Sequence, residues 1–210
     1  MFTKAILPDT LRGIQLAARI PLLRSAYLAG GTALALQLGH RISEDLDFFT
    51  QEAFDEQIVA RELKRLPEFT QDQLAWRTIM GTLAQTKFSL FYYEYQLIEL
   101  VVEFEGIRLA GKKDIAAMKI HAIEDRGAKR DFIDLFFLKE EFLLETMLEF
   151  YDQKYHCLED HLYHILKGMD YFVSADIEEG PEMLTPVDWS EVKHFFTQEA
   201  KRIAKLELYP

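Results

Sequence analysis

A pair of glycines followed by a pair of aspartates constrains this chain more than any other feature. Gly30 and Gly31 come directly after the apolar run 26–29, and a helical pattern begins after them. Asp45 and Asp47 open a stretch in which polar and apolar residues alternate, which indicates a strand with one buried face. The order strand, glycine turn, helix, strand therefore predicts an α/β unit in the front part of the chain.

The two glycines predict a turn that can come very close to a bound group. Glycine adopts backbone dihedrals that other residues resist, and it has no Cβ to keep a ligand at a distance. The helix that follows would present unpaired N–H groups and the positive end of its dipole, an arrangement that binds phosphate. Thr32 could add its hydroxyl to this site or could cap the helix. A simple turn without a ligand is the alternative.

Asp45 and Asp47 are spaced to place both carboxylates on one face of a strand, because strand side chains alternate with a period of two. Adjacent carboxylates repel each other unless a cation lies between them, and Mg²⁺ or Mn²⁺ prefers such oxygen ligands. A metal held there would stabilise the attacking and leaving oxygens of a phosphoryl displacement. Taken alone, the same two aspartates could be surface charge. Their combination with the glycines favours catalysis.

A second set of charged residues lies on two predicted helices after residue 111. Lys119 and Arg126 lie on or beside the apolar stripe of the first helix, and Asp131 and Asp134 repeat the arrangement on the next. Lysines are rarely buried unless they are paired or functional. The two cations could neutralise a nucleoside triphosphate, while either aspartate could complete metal binding or deprotonate an acceptor hydroxyl. An internal ion-pair network is the alternative, and the two interpretations are compatible.

Two further groups of residues remain open to more than one interpretation. Arg41 and Ser43 lie on the loop between the glycines and the aspartates, and Arg41 could contact a triphosphate or an acceptor, or could shape that loop. Aromatic side chains in the strand-like region that follows could stack on bases, although packing within the sheet is the simpler explanation. These side chains are Phe88, Phe91, Tyr92, Tyr93 and Tyr95.

Residues 72–104 are rich in threonine, β-branched and aromatic residues, which predicts strands. We expect about three antiparallel strands there. Two of them are predicted at Lys87–Tyr93 and Leu97–Phe104, with a turn near Gly81.

After this region the periodicity becomes helical almost to the end of the chain. One long helix is expected over 130–150. The predicted fold class is therefore α+β, with a mixed sheet and flanking helices over 1–110. A helical region over 111–210 follows and is expected to complete the site.

Composition excludes several classes of protein. The net charge of −11 argues against a protein that coats nucleic acid through bulk electrostatics. The segment 140–210 has 6 basic and 16 acidic residues, whereas 112–130 has 6 basic and 3 acidic residues and could bind phosphates locally. The single cysteine, Cys157, excludes an internal disulfide, and no apolar run reaches the roughly 20 residues that cross a bilayer. We therefore expect a cytoplasmic protein that does not bind membranes.

Two stretches of the chain resemble the AbiEii/AbiGii toxin family of nucleotidyltransferases, a branch of the DNA polymerase β-like superfamily. The first is LAGGTALALQLGHRISEDLDFF, residues 28–49, and the second is DIAAMKIHAIEDRGAKRDFIDL, residues 114–135. The resemblance extends over about residues 20–140. One departure is Thr32, where many members of the superfamily have serine, although a threonine hydroxyl can serve similarly.

The resemblance implies an activity, partners and residue roles. It implies metal-dependent transfer of a nucleotide from a nucleoside triphosphate to an acceptor hydroxyl, with tRNA as one acceptor. Family members are typically toxins of bacterial toxin–antitoxin or phage-defence pairs, so an antitoxin partner is implied as well. The implied site contains Gly30, Gly31 and Thr32 at the triphosphate, Asp45 and Asp47 at the metal, Lys119 at phosphate, Asp131 or Asp134 as a further acid, and a lysine-bearing strand that corresponds loosely to Lys87.

Two other functions are compatible with the same residues. One is a non-catalytic protein that binds a nucleotide and acts by interaction with a partner such as an antitoxin. The retained Asp45, Asp47, Lys119 and Asp131 weigh against it, because a protein without catalysis does not need them. The other is nucleotide transfer to a small molecule such as an aminoglycoside, which a deep acidic pocket beside the metal would favour.

Overall fold

The computed structural model describes residues 1–207, which form two compact units. The first unit is Met1–Gly111 and contains a seven-stranded sheet, and the second begins at Lys112 and is helical. The predicted α+β class, a mixed sheet followed by a helical part, is confirmed. Over the described residues, none of the helices has both the length and the apolar character that a membrane crossing requires.

One mixed sheet organises the first unit. Its strands are Tyr27–Leu28 (β1), Leu46–Thr50 (β2), Phe69–Ala75 (β3), Thr78–Leu83 (β4), Thr86–Tyr92 (β5), Val102–Phe104 (β6) and Ile107–Leu109 (β7). Their spatial order is β3-β4-β5-β2-β1-β7-β6. β2 pairs antiparallel with β1 and parallel with β5. The two strands that flank the glycine turn therefore lie at the centre of the sheet.

The hydrophobic core of the first unit lies on one face of this sheet. The helices are Pro8–Ala17 (α1), Gly30–Leu38 (α2) and Glu56–Leu63 (α3), with short 3₁₀-helices at Thr3–Ala5 and Pro21–Arg24. Leu46 and Phe48 of β2 are fully buried, as are Phe88 and Leu90 of β5. α1 approaches this face closely, because a Cβ on Gly13 would lie 2.6 Å from Leu46 Cδ1. Alternation along β2 leaves its other residues on the opposite face.

The predicted strand Leu97–Phe104 is wrong over most of its length. Residues 93–101 form a loop, and only Val102–Phe104 forms a strand. Three strands separate β5 from β6 in the sheet, so the connection spans about 19 Å at the usual interstrand spacing. The expected antiparallel arrangement holds for β3, β4 and β5, but β5 also pairs in parallel with β2.

The turn expected near Gly81 is also wrong, because Gly81 lies inside β4. A Cβ at this position would lie 2.2 Å from the Thr70 carbonyl oxygen on β3. The β3–β4 register shifts between Gln71 and Gln73, next to this contact. A glycine inside a strand often marks such a bulge or a close backbone approach.

Six helices make up the described part of the second unit. They are Lys112–Asp125 (α4), Lys129–Leu138 (α5), Leu144–Tyr155 (α6), Leu158–Met169 (α7), Val173–Ile177 (α8) and Trp189–Glu207 (α9). The single helix expected over 130–150 is wrong, because the chain breaks between α5 and α6. Both of these helices pack against α4.

Candidate functional site

Asp45 and Asp47 lie on the face of the sheet opposite the hydrophobic core. Asp45 immediately precedes β2 and Asp47 is its second residue. Both side chains are half-buried, while Leu46 and Phe48 between and after them point into the core. The strand therefore presents two carboxylates side by side with partial access to solvent.

The glycine turn lies directly against the second carboxylate. Gly30 has φ of +68°, in the left-handed region that side chains disfavour. A Cβ built on Gly30 would lie 3.6 Å from Asp47 Oδ2. The Ala29 N–H donates to the Asp47 carbonyl at 3.0 Å, which joins the turn to the strand. The N-terminus of α2 and the Asp47 carboxylate therefore border the same space.

Gly31 is required for a different reason, because a buried arginine lies against it. A Cβ on Gly31 would lie 2.2 Å from Arg41 Nη2 and 3.0 Å from Ser43 Oγ. Arg41 is 3% exposed, and its Nη1 donates to the Ile42 carbonyl at 3.0 Å. The structure thus brings Arg41 and Ser43 to the glycine turn, where the Arg41 side chain occupies the space that a Cβ on Gly31 would need.

Thr32 connects the start of α2 to the start of β2. Its hydroxyl donates to the Asp45 carbonyl at 2.5 Å and lies 3.0 Å from Ser43 Oγ. The side chain is 1% exposed. In this arrangement Thr32 positions the residues around the carboxylates.

Lys87 reaches the same face of the sheet from the neighbouring strand. β2 and β5 pair in parallel with Leu46 opposite Phe88 and Asp47 opposite Ser89. Lys87 precedes Phe88 as Asp45 precedes Leu46, so the lysine lies at the level of Asp45. Its side chain is exposed. A cation therefore accompanies the two carboxylates on adjacent strands.

The donor set of Asp45 and Asp47 fits a hard divalent cation. Mg²⁺ is usually held by one or two carboxylates, and waters and substrate phosphates supply its other ligands. The glycine turn beside Asp47 leaves the space that a side chain would otherwise fill. Across residues 1–207 no group of three or more His, Cys, Asp or Glu side chains is placed to hold a metal ion.

In the second unit, the predicted charged residues form a buried network. Lys119 Nζ lies 2.8 Å from Asp131 Oδ1 and 2.5 Å from Asp134 Oδ2. The lysine side chain is 7% exposed and the two aspartates are fully buried. Arg126, on the other side, donates from Nε to Asp131 Oδ2 at 3.0 Å. Two cations thus neutralise two carboxylates, as the ion-pair interpretation predicts.

A second buried ion pair was not among the predictions from the sequence. Lys154 Nζ of α6 lies 2.7 Å from Asp114 Oδ1 of α4, and both side chains are fully buried. The sequence did indicate that Lys154 is buried, because it continues the helical stripe of Met147 and Tyr151, which are both buried. A lysine on an apolar stripe requires a buried partner. Its spacing alone does not identify that partner.

Tyr151 belongs to a polar cluster between α4, α6 and α7. Its hydroxyl donates to Glu124 Oε2 at 3.0 Å, and His161 Nδ1 lies 2.6 Å from Glu124 Oε1. Cys157 Sγ lies 3.7 Å from the same hydroxyl. Burial of Tyr151, with the hydrogen bond to Cys157 and the charge of Glu124, raises the pKa of Tyr151 above its ordinary value of 10.0.

This shift predicts a loss of stability at alkaline pH. The unfolded chain releases the Tyr151 proton near pH 10.0, whereas the folded chain retains it. Protonated Tyr151 therefore contributes fully to the free energy of unfolding below that pH, and this contribution is lost as the pH rises towards the pKa of the folded state. Urea unfolding at about pH 9 and about pH 11 should show a smaller decline for Tyr151→Phe than for the wild type. Tyr171→Phe, at an exposed tyrosine, is the control. Equal declines for Tyr151→Phe and the wild type would contradict the prediction.

A further prediction concerns the glycine turn. Gly30→Ala should lower the free energy of unfolding by about 1–2 kcal/mol, because a side chain at positive φ meets its own backbone. The control is Gly180→Ala, where the nearest atom to a new Cβ is Lys129 Cδ at 3.9 Å. Urea unfolding of both variants measures the difference. A Gly30→Ala protein as stable as Gly180→Ala would show that the turn relaxes without cost.

The chain is similar to several known proteins. A family model described as nucleotidyl transferase AbiEii toxin, type IV toxin–antitoxin system, matches residues 15–108. An uncharacterized protein of Aquifex aeolicus (strain VF5) is 39% identical over 181 residues, which cover 83% of this chain and 86% of that protein.

Two solved structures share the fold. JHP933 from Helicobacter pylori has a TM-score of 0.55 and 23% identity, and the match covers 94% of this chain and 90% of that one. MenT4, a nucleotidyltransferase toxin from Mycobacterium tuberculosis H37Rv, has a TM-score of 0.51 and 14% identity, with coverage of 93% and 86%.

The matched family segment contains the glycine turn and both strand aspartates, the features that the structure brings together. The fold that carries them is shared with MenT4. The chain belongs to the AbiEii family of nucleotidyltransferase toxins.

Proposed function

We propose that this protein transfers a nucleotide from a nucleoside triphosphate to an acceptor hydroxyl with a divalent metal, Mg²⁺ or Mn²⁺, held by Asp45 and Asp47. One observation carries the proposal. The glycine turn at the N-terminus of α2 lies against the Asp47 carboxylate, with Gly30 in a conformation that leaves its Cβ position open. A phosphate-binding helix terminus and a cation-binding carboxylate pair thus share one space.

Each group of the first unit has a role in this proposal. The Gly30-Gly31 turn and the N–H groups of α2 bind phosphate oxygens, and Lys87 adds positive charge from β5. Asp45 and Asp47 hold the metal, which when bound supplies charge stabilisation to the attacking and leaving oxygens. Thr32, Arg41 and Ser43 position the glycine turn next to the start of β2. Arg41 thereby affects nucleotide binding indirectly, through the position of the Gly31 backbone.

The proposed reaction is an in-line displacement at the α-phosphorus. The acceptor hydroxyl oxygen forms a bond to phosphorus while its proton passes to solvent water, and the bond from phosphorus to the bridging oxygen breaks. Pyrophosphate leaves with the electron pair of that bond. Positioning and electrostatic stabilisation account for most of the catalysis in such reactions.

Three residues of the second unit have the roles that the family implies in this proposal. Lys119 would contact phosphate, and Asp131 or Asp134 would contribute a further acidic group. An ammonium has three N–H donors, so the two carboxylates engage only part of its capacity. Arg126 is half-exposed and could contribute positive charge in addition to its bond with Asp131.

The biological setting is part of the same proposal. We propose that the protein is a toxin regulated by an antitoxin in a bacterial toxin–antitoxin or phage-defence pair, and that it acts in the cytoplasm. Membership of the AbiEii family supports this setting. RNA is the proposed acceptor class, and tRNA is the first RNA to test.

The proposal is tested by incubating the purified protein with Mg²⁺ and each nucleoside triphosphate in turn, labelled on the α-phosphate. Total bacterial RNA is the acceptor in one series and an aminoglycoside mixture in a parallel series. We expect label to enter RNA, in a reaction that a metal chelator stops.

The outcomes separate the three functions. Label in the aminoglycoside series alone would indicate a small-molecule acceptor. Magnesium-dependent nucleotide binding without transfer to either acceptor would favour the non-catalytic interaction protein. Transfer that continues in the presence of a chelator would contradict the proposed metal dependence.

A further inference from the structure

A row of aromatic side chains crosses the sheet next to the two carboxylates. Tyr27 of β1 pairs with Phe49 of β2, and Phe49 pairs with Phe91 of β5. The ring centroids are 6.0 Å apart for Tyr27 and Phe49 and 5.5 Å apart for Phe49 and Phe91. Tyr93 continues the row, with its ring 5.2 Å from that of Phe49. We call Phe49, Phe91 and Tyr93 the aromatic row.

The aromatic row lies on the same face of the sheet as the carboxylates. Phe49 follows Asp47 by two residues on β2, so both side chains point to one side of the sheet, about 7 Å apart along the strand. Phe91 stands in the same relation to Ser89, the partner of Asp47. The row and the carboxylates are therefore adjacent parts of one surface.

The hydrophobic core on the opposite face of the sheet does not include these rings. That core contains Phe48 and Phe88, which are fully buried and whose centroids lie 5.7 Å apart. Phe49, Phe91 and Tyr93 are only half-buried. The structure thus separates the aromatic residues of this region into a buried set and an accessible set, which the sequence alone does not do.

Hydrogen bonds and ring packing around Tyr93 order the end of the aromatic row. Gln51 Nε2 donates to the Tyr95 carbonyl at 2.7 Å, and the Tyr93 N–H donates to the Thr50 carbonyl at 2.8 Å. The Tyr95 ring packs against Tyr93 with centroids 5.0 Å apart. Ordered aromatic rings bind a flat ligand with little loss of side-chain entropy.

We propose that the aromatic row binds the base of the nucleoside triphosphate whose phosphates lie at Asp45 and Asp47. This inference rests on the proposed function. The separation of Phe49 from Asp47 along the strand is comparable to the span of the ribose that separates the α-phosphate from the base. A flat apolar base suits half-buried rings, because stacking uses the π-face that every base has. The row therefore binds nucleotides without strong preference among bases.

The test compares binding of a nucleoside triphosphate with binding of inorganic tripolyphosphate, which has no base, by calorimetry in the presence of Mg²⁺. Tyr93→Leu and Phe49→Leu should weaken nucleoside triphosphate binding by about ten- to a hundredfold and leave tripolyphosphate binding unchanged. Tyr93→Phe keeps the ring and should restore binding. Tyr92→Leu is the matched control, because Tyr92 neighbours Tyr93 but packs against Trp76 and Arg77 instead.

The outcomes distinguish this inference from the proposed function. Wild-type protein that binds both ligands equally tightly would show that the base is not recognised, and the inference would be wrong while phosphate binding stands. Nucleotide binding unchanged in Tyr93→Leu, a variant at the end of the row that need not disturb folding, would overturn the inference alone. Failure of the wild type to bind either ligand would overturn both proposals.

Discussion

Asp47→Asn is expected to reduce nucleotide transfer by about a thousandfold or more, and Asp45→Asn should have a comparable effect. Each substitution removes one negative charge from the carboxylate pair while keeping the shape of the side chain. The pair is proposed to hold a cation that stabilises transition-state charge by several kcal/mol, and about 1.4 kcal/mol corresponds to a factor of ten in rate. Transfer of labelled nucleotide measures the loss.

The matched control is Asp72→Asn, on the exposed edge strand β3. This variant has the same change of charge and should keep wild-type activity. Because Asp45 and Asp47 are only half-buried, both variants should remain folded. Urea unfolding of all three variants checks that the loss of transfer does not come from loss of the fold. Full transfer activity in a folded Asp47→Asn protein would eliminate the proposed metal site.

Lys154→Met is expected to lower the free energy of unfolding by about 3–5 kcal/mol, the largest stability effect we predict. The substitution removes the cation that lies 2.7 Å from Asp114, in a place where both side chains are fully buried. A buried carboxylate that loses its cation keeps the cost of desolvation without the compensating attraction. Urea denaturation with linear extrapolation measures the change.

A double variant separates the ion pair from simple packing. Lys154→Met combined with Asp114→Leu replaces both charges with apolar side chains and should recover most of the lost stability. Lys193→Met is the control at an exposed pair, 2.9 Å from Asp176, and should cost less than about 1 kcal/mol. A double variant no more stable than Lys154→Met would show that packing, and not the unpaired charge, causes the loss.

Local features of the structure could be predicted because they depend on neighbouring residues. The positive φ of Gly30 follows from the tolerance of glycine for left-handed backbone. The common face of Asp45 and Asp47 follows from the period of a strand. An ion-pair network of Lys119 with Asp131 and Asp134 was one of two compatible interpretations of the sequence, because charged residues on the apolar stripes of helices are rarely buried without partners.

Features that join distant segments could not be predicted in this way. Lys87 reaches the level of Asp45 only because β5 pairs in parallel with β2, and many other pairings were compatible with its sequence. Residues 97–101 were predicted as part of a strand because their composition is largely apolar, but they belong to the connection that crosses from β5 to β6. The partner of Lys154 was hidden for the same reason, since Asp114 lies 40 positions earlier in the chain.

The sequence by itself determined the fold class, the glycine turn, the paired aspartates and the family, because each depends on residue type and short-range spacing. Only the tertiary structure decided which aromatic residues join the core and which lie half-buried beside the carboxylates. Phe48 and Phe49 are adjacent in the chain, yet one is fully buried and the other is accessible next to Asp47. The pleat of β2 sends them to opposite faces, and the packing of α1 on one face determines which becomes the core.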